Sequence, residues 1–561
     1  MSLKIKNYFW LVLLVLISLF PLLDLFRPGM FLSHDGQDHV ARIANFYQSL
    51  SEGNLIPRWA ANLNWGYGHP ILMFLYPLPS YLASLFHFLG LSFVDSVKLV
   101  FGVTYVLSGL TMYLWIRELL GEKAGFISGI FYMFAPYRFI DLYVRGAIGE
   151  HVFFVFPPLV LYFLLKLSQE VKWHYIMGGS MSLAGLLLSH NALSLMFLPV
   201  IFIYGVFLLW QSRIKKLLGT YYLLLITYAF TLSAFFWLPA FFEGRYTLRD
   251  IVTAGDYSSR FISLQNLFYS PWSFGGTGEF STQLGLTQWS AVFFGFGTIA
   301  YLFNKKNPYW VLGGIFLIFF LTSLFFMTSS SLFFWQKFPI LQKFQFPWRF
   351  LSLAIFPPAV LAGLLVSFLR GKRQVLTLLL LSFLVLWLNS GFWHARGFFE
   401  KPGIFYTGIY SGTTDTGESS PRWSVRFMEN PPSESLAVID GEAVVEQKKR
   451  LSNAHLYNVD AKAKTRFVEN TLYFPGWEIL IYNEQGKPVN SGKLNIEFQD
   501  PNFRGLQTFY VEPGKYWILV HFVETKLRKF ADMVSLLAIL ALFTPFVFRR
   551  KQGKLGVAGE N

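Results

Sequence analysis

The chain has 561 residues, of which 54% are hydrophobic, 19% aromatic and only 14% charged, and its mean hydropathy is positive. No ordinary soluble domain of this size has that composition, so lipid must be part of its solvent. The formal net charge of +15 lies in short loops between apolar runs, which argues against a nucleic-acid-binding face, and the absence of cysteine excludes disulfides, thiolate metal sites and cysteine nucleophiles.

The first apolar run, Tyr8 to Leu25, follows Lys4 and Lys6 and leads into Phe26, Arg27 and Pro28 without a small-residue cleavage site. It reads as a retained span. Further apolar runs long enough to cross lie near 96–116, 124–140, 150–167, 174–189, 191–210, 218–242, 287–303, 309–328, 350–369, 374–393 and 530–548. The run from Ile71 to Leu91 is also long enough, but Pro77 and Pro79 break it. If it does not cross, Lys4/Lys6, Arg117/Lys123, Lys166/Lys172, Arg213/Lys215/Lys216, Lys305/Lys306, Arg370/Lys372/Arg373 and Arg549/Arg550/Lys551 all share one side. The positive-inside rule makes that side cytoplasmic. The expected architecture is therefore mainly α, a polytopic transmembrane helix bundle of about twelve crossings, with both termini cytoplasmic. Segments 26–95, 141–149, 243–286, 329–349 and 394–528 then face the extracytoplasmic side of a plasma or inner membrane, and Ile71 to Leu91 lies along or dips into the outer leaflet.

Four parts follow: a transmembrane part, 1–393, that includes the first external loop 26–95; a linker, 394–422; an extracytoplasmic β-rich domain, 423–526; and a last transmembrane helix with a basic cytoplasmic tail, 527–561. In the third part "TLYFPGWEILIYNEQGKPVNSG" alternates apolar and polar residues around a Gln485-Gly486 turn, and "FRGLQTFYVEPGKYWILVHFV" has a Pro-Gly turn. This predicts a small β-sandwich-like domain tethered by its flanking spans.

The first external loop, "FLSHDGQDHVARIANFYQSLSEGNLIPRWAANLNWGYGHP", sets Asp35 and Asp38 among His34, His39 and Arg42. A helix over 37–50 places Asp38 and Arg42 on one face. A carboxylate where lipid meets water, partly desolvated and near a cation, can be tuned for proton abstraction from a sugar hydroxyl. Capping of the helix is the plainer role for either aspartate. "APYRFIDLYVRGAIGEHVFF" brings Arg138, Asp141, Arg145, Glu150 and His151 between two apolar runs, where ionisable groups are costly unless paired or used. An Arg145 to Glu150 ion pair is one reading; Arg145 gripping a phosphate with its planar fork is the other. "LLLSHNALSL" puts His190 at an outer helix end, as an interfacial histidine, a ligand or a base. "KFQFPWRFLSL" puts Arg349 beside Trp348 as an interface anchor or a phosphate ligand. The loop with Arg245, Arg249, Asp250, Asp256, Arg260 and Gly275-Gly276 is either a lid or a plain solvated loop. Walker, dinucleotide, HExxH and Gly-x-Ser-x-Gly patterns are missing, so an ATP-driven pump or a soluble-cofactor oxidoreductase is poorly supported.

An acidic pair after the first span, many further spans and outward-facing polar residues resemble the GT-C superfamily of membrane glycosyltransferases. More closely, "HDGQDHVARIANFYQSLSEGNLIPRW", "LYVRGAIGEH", "LLLSHNALS", "FQFPWRFLSLA" and the closing strand-rich stretch resemble the YfhO-like branch and its neighbours labelled 6-pyruvoyl-tetrahydropterin synthase-related. The resemblance implies inverting transfer of a sugar from a polyprenyl-phosphate donor to an extracytoplasmic glycan or lipid acceptor, such as a cell-envelope glycopolymer, amid membrane lipids and without nucleic acid. It implies Asp35 as general base, with Asp38 supporting it or helping to hold a divalent ion, the one cofactor left open. It implies Arg145 and Arg349 on the lipid phosphate. Glu150, His151 and His190 orient donor or acceptor, and His34, His39 and Arg42 complete the substrate-binding set. Two other classes remain: a transporter or flippase of lipid-linked sugars, and a non-catalytic envelope-assembly protein.

Overall fold

The computed structural model describes residues 8–275 and 280–555. Lys4, Lys6, Gly276 and the last six residues of the basic tail lie outside the described residues. The chain is a mainly helical membrane protein with a C-terminal sheet domain, as expected. Eight helices among the described residues are long and apolar enough to cross a membrane, from Phe9–Phe26 to Gly371–Asn389. A ninth is formed if Lys215–Leu232 and Ala234–Tyr246, bent by 68°, are one span.

The remaining expected runs take other forms. Trp173–Ser189 is helical over 17 residues, and the run near 530–548 lies inside the helix Lys526–Leu555. The run near 124–140 is a 12-residue helix, Glu122–Met133, that breaks before Pro136 and continues as a short turn, Pro136–Phe139, and a π-helical turn, Ile140–Arg145. At about 1.5 Å per residue such a helix is only about 18 Å long, and Pro136, which lacks an N–H, ends it. The Ile71 to Leu91 run splits in the same way into Ile71–Phe74 and Leu78–Phe88, with an extended residue, Leu75, ahead of Pro77. Neither piece is long enough to span.

A short pair of strands, β1 (Met30–Phe31) and β2 (Phe398–Phe399), zips the exit of the first span to the segment after Gly371–Asn389. The sheet domain holds the other eight strands: β3 (Leu436–Asp440), β4 (Ala443–Arg450), β5 (Ala454–Ala461), β6 (Thr465–Leu472), β7 (Trp477–Asn483), β8 (Pro488–Leu494), β9 (Leu506–Val511) and β10 (Gly514–Phe522). They form a five-stranded sheet, β4-β5-β10-β7-β8, and a three-stranded sheet, β3-β6-β9, with antiparallel pairing throughout. The Gln485-Gly486 and Pro-Gly turns lie between β7 and β8 and between β9 and β10. Alternate residues Tyr457, Val459, Ile479, Ile481, Ile518 and Val520 turn inward into one core, as period-two patterning requires.

That core does not close on itself. Trp59, Met73 and Phe74 of the first loop are buried in it, Trp59 edge-on to Trp477 at 5.3 Å. Below it Arg58 reaches Glu524 at 2.9 Å and Asp532 at 2.6 Å, and Arg528 reaches Glu243 at 2.8 Å. The domain is thus fastened to the first loop and to the Ala234–Glu243 helix as well as by its chain ends.

Candidate active site

The site begins with a backbone clip. The His34 and Asp35 amides donate to the carbonyls of Val144 and Arg145 at 3.0 and 2.9 Å, so the first loop runs against the end of the π-helical turn. Gly146 makes this approach feasible: its φ is +65°, and a Cβ there would stand 2.6 Å from Ser33 Oγ. The helix Gly36–Ser51 then starts with Asp35 at its N-cap, but the Asp35 carboxylate makes no capping bond. Among the described residues it accepts no hydrogen bond and joins no ion pair. The Asp35 side chain is accessible although protein surrounds it closely, which is the situation of a group in a surface recess. The surrounding protein removes enough bulk water to raise its carboxyl above the usual range, against the pull of Arg145 and Arg42.

Asp38 accepts from the Tyr410 hydroxyl at 2.6 Å, and Gln37 donates to the same oxygen at 2.9 Å. Arg42 is buried; it donates to the Thr414 hydroxyl at 3.1 Å and to the Thr414 carbonyl, and its Nη1 lies 3.2 Å from His39 Nδ1. Asp38 and Arg42 therefore do not pair with each other, because the 410–414 segment takes both. Burial, with Arg42 and Arg145 nearby, holds His39 well below its ordinary range and so neutral. His34 is exposed and its Nε2 lies 3.0 Å from the Phe274 carbonyl.

Glu150 is the hub of the second cluster. Its Oε1 meets Arg145 at 2.9 Å, Arg349 at 3.5 Å and His190 at 3.9 Å, and its Oε2 accepts from Tyr137 at 3.0 Å and Ser352 at 3.2 Å. Arg145 also binds Asp141 at 2.7 Å, one helical turn back, and lies over the Trp348 ring at 4.6 Å. The ion pair read from the sequence thus forms inside a larger cluster. Arg349 is less committed: Nη1 donates to the Phe344 carbonyl at 2.9 Å, while Nη2 has no hydrogen bond among the described residues. His190 caps the following helix through Leu193 N and stacks on Tyr76 at 5.0 Å.

The structure therefore gathers Asp35, Asp38, His34, His39, Arg42, Arg145, Glu150, His190 and Arg349 at one end of the bundle. His151 does not join them. It is buried against the rings of Phe101 and Tyr105, 5.3 and 5.9 Å away, because a residue one step along a helix turns by about 100°. Arg138 likewise turns into the interior, 4.0 Å from the Phe154 ring. Tyr410, Thr414, Tyr137 and Ser352 carry no sequence signal. Three residues of the 249–280 segment approach the site: Phe280 is edge-on to Trp348 at 5.0 Å, Arg260 lies 5.7 Å from the Phe346 ring, and the Phe274 carbonyl meets His34. The donor set does not fit a divalent ion. Asp35 and Asp38 supply two carboxylates, one already engaged by Tyr410, and no group of three or more His, Asp or Glu that could hold a metal occurs among the described residues.

Comparison with known proteins gives the following. An uncharacterized protein of Lactococcus lactis subsp. cremoris is 24% identical over 245 residues, 42% of this chain and 40% of that protein. Dolichyl-phosphooligosaccharide-protein glycotransferase 2 of Pyrococcus horikoshii is 26% identical over 183 residues, 30% of this chain and 23% of that protein. The chain thus spans less than half the length of either relative. Among solved structures, the arabinofuranosyltransferase AftD from Mycobacteria aligns with a TM-score of 0.43 at 15% identity, covering 71% of this chain and 28% of that one. The Archaeoglobus fulgidus oligosaccharyltransferase gives 0.44 at 16%, covering 75% and 59%, and ArnT from Cupriavidus metallidurans bound to undecaprenyl phosphate gives 0.37 at 15%, covering 71% and 68%. The model of the 6-pyruvoyl-tetrahydropterin synthase related domain, a membrane protein family, matches residues 72–393, more than half of the chain. The chain belongs to that membrane protein family.

Proposed function

We propose that the chain is a membrane glycosyltransferase that moves a sugar from a polyprenyl-phosphate donor to an extracytoplasmic acceptor, a cell-envelope glycan or a lipid, with inversion at the anomeric carbon. The observation that carries this reading is the unpaired Asp35 carboxylate, accessible and clipped beside Arg145 by the Asp35 amide, with the loss of surrounding bulk water raising its basicity. The partial match to a glycotransferase of a dolichyl-phosphate-linked sugar chain agrees with it.

In this reading the acceptor hydroxyl gives its proton to Asp35 as its oxygen attacks the anomeric carbon from the face opposite the phosphate. The bond from that carbon to the phosphate oxygen breaks, and the electron pair leaves with the lipid phosphate. Arg349, with a free Nη2, and Arg145 face the charge that builds there. Glu150 holds both guanidinium groups in place, and His190 and Tyr76 form a wall beside them. Asp38, tied to Tyr410, fixes the start of the helix that presents Asp35. No step needs a metal.

The test is Asp35→Asn in native membranes, with lipid and polymer glycans read by mass spectrometry. Loss of the glycosylated product at unchanged protein abundance is expected; full activity removes the proposed base. Movement of a lipid-linked sugar across vesicles with no covalent product would overturn the reading in favour of a transporter. The sidedness is tested on this cysteine-free chain by a single cysteine at Lys305, which should react only from the cytoplasmic side.

A further inference from the structure

A second concavity, of about 280 Å³, lies between the first loop and the three-stranded sheet. Its floor is apolar, made by Met428, Val468 and Leu506. Its walls are the rings of Tyr67 and Phe503, and polar side chains of Glu429, Asn430, Asn502 and Arg504 stand around its mouth.

The groove is held by bonds that leave its polar groups available. Tyr67 is seated on the sheet by its carbonyl, which accepts from Leu472 N at 3.0 Å, and the next wall starts where Met428 N donates to Asn64 Oδ1 at 2.9 Å. Phe503 lies under the Arg466 guanidinium at 5.1 Å, and Arg466 is in turn fixed by Glu497 at 3.1 Å and Asp500 at 3.2 Å. Asp500 accepts from both nitrogens of Asn502, which leaves the Asn502 side-chain carbonyl uncommitted. Arg504 adopts a left-handed conformation, φ +50°, strained for a non-glycine residue. Its Nη1 stands 3.7 Å from Glu429 Oε2, too far for a good hydrogen bond, so the pair can open toward a ligand.

This lining has one cation and one anion, so it offers little to a phosphate or a polycation. Two aromatic side chains beside an apolar floor, rimmed by amides that donate and accept at once, match a neutral polyhydroxylated ring with an apolar face. The volume is just below the roughly 300–1,000 Å³ of small-molecule sites, which suits one sugar ring. We infer that this groove binds a saccharide, as a recognition site separate from the Asp35 recess. That the saccharide is the acceptor chain rests on the proposed function; that the groove binds saccharide does not. The two sites are joined by one segment, since Trp65 N donates to the Tyr410 carbonyl at 2.9 Å and the Tyr410 hydroxyl binds Asp38.

The test uses the full chain in detergent micelles on a printed array of pyranose and furanose oligosaccharides. The wild type should bind a subset of spots, and the Asn430→Ala/Asn502→Ala variant, altered only at exposed positions, should bind them at least about tenfold more weakly. Phe503→Ala should do the same, and Asp35→Asn should bind like the wild type. An array on which the wild type binds no glycan, or binding that persists unchanged in the double variant, overturns the inference. Loss of transfer in Asp35→Asn together with an empty array would sink the groove and leave the transferase reading standing; the reverse pattern would do the opposite.

Discussion

Two buried ionic clusters lie near the same end of this molecule, and they differ in what they leave unbonded. At the junction of the sheet domain and the last helix, every guanidinium nitrogen of Arg58 has a partner: Glu524, the Phe235 carbonyl and Asp532. Arg528 is equally occupied, by Glu243 and the Val523 and Pro475 carbonyls. Around Glu150 the bonding is incomplete. Arg349 stops at 3.5 Å from the carboxylate, Asp141 Oδ2 and Arg349 Nε have no hydrogen bond, and the neighbouring Asp35 is unpaired. Burying an ion is costly in both places. The first cluster gives every guanidinium nitrogen a partner within the protein and leaves one carboxylate oxygen, Glu524 Oε2, without a hydrogen bond, whereas in the proposed function the unbonded donors and the carboxylate of the second meet a substrate. Buried charge alone does not distinguish a fastening from a site; the partners left over do.

The comparison breaks most readily through the two extreme residues. Asp35→Asn removes the proposed base and keeps the shape, so transfer should fall by about 10²–10⁴-fold while the melting temperature stays put. Arg58→Ala should do the reverse. It leaves Glu524 and Asp532 without the cation they share, at a cost below the about 3–5 kcal/mol of a fully buried pair because both carboxylates are partly exposed, read as a lower melting temperature with the activity per folded molecule unchanged. If Arg58→Ala instead destroys activity in folded protein, the junction is not merely a fastening. If Asp35→Asn is as unstable as Arg58→Ala, the recess is structural.

Much of the bundle is legible in the sequence because its signals are local. Apolar runs mark the spans, Pro77 marks the break in the non-crossing run, and the Pro-Gly and Gln-Gly pairs mark the hairpins. The site was partly legible for a related reason: Asp35, Arg145, Glu150, His190 and Arg349 are ionisable groups beside apolar runs, where their cost draws attention. His151 drew attention on the same ground but faces the other way, since sequence adjacency in a helix is not spatial adjacency. Tyr410 and Thr414 escaped because they lie in a segment read as a linker, more than 370 residues from the Asp38 and Arg42 they bind. The junction cluster carries no local sequence signal. Arg58, Glu243 and Asp532 are each unremarkable in the chain, and only tertiary packing gathers them.

A smaller effect separates the two guanidinium groups of the site. Arg145 is engaged by Asp141 and Tyr137 through Nη1 and by Glu150 through Nη2, so its loss should cost both folding and transfer. Arg349 retains an unbonded Nη2, so Arg349→Ala should reduce transfer by about ten- to a hundredfold, the worth of a hydrogen bond to a charged group. Arg349→Lys should recover only part of this, since an ammonium lacks the fork that grips two phosphate oxygens. The readout is KM for the lipid donor against kcat; equal activity of the alanine and wild-type proteins would put the phosphate elsewhere.

The smallest expected effect tests the electrostatics of the recess. Burial raises the Asp35 carboxyl above its ordinary 3.8, and Arg145 and Arg42 pull it down. A base works when deprotonated, so kcat/KM should fall as pH drops through the raised value, on a single-proton limb above pH 3.8. Arg42→Gln removes one of the cations that favour the carboxylate, so the limb should move further up, by less than the shift that burial imposes. Arg42 also ties down Thr414, and a loosened segment could lower activity at every pH. Thr414→Val supplies the control, because it removes the hydroxyl partner without changing any charge, and should leave the limb where it is. A limb that moves down in Arg42→Gln, or moves equally in Thr414→Val, would mean that Arg42 acts through packing and that the field at Asp35 is set by other groups.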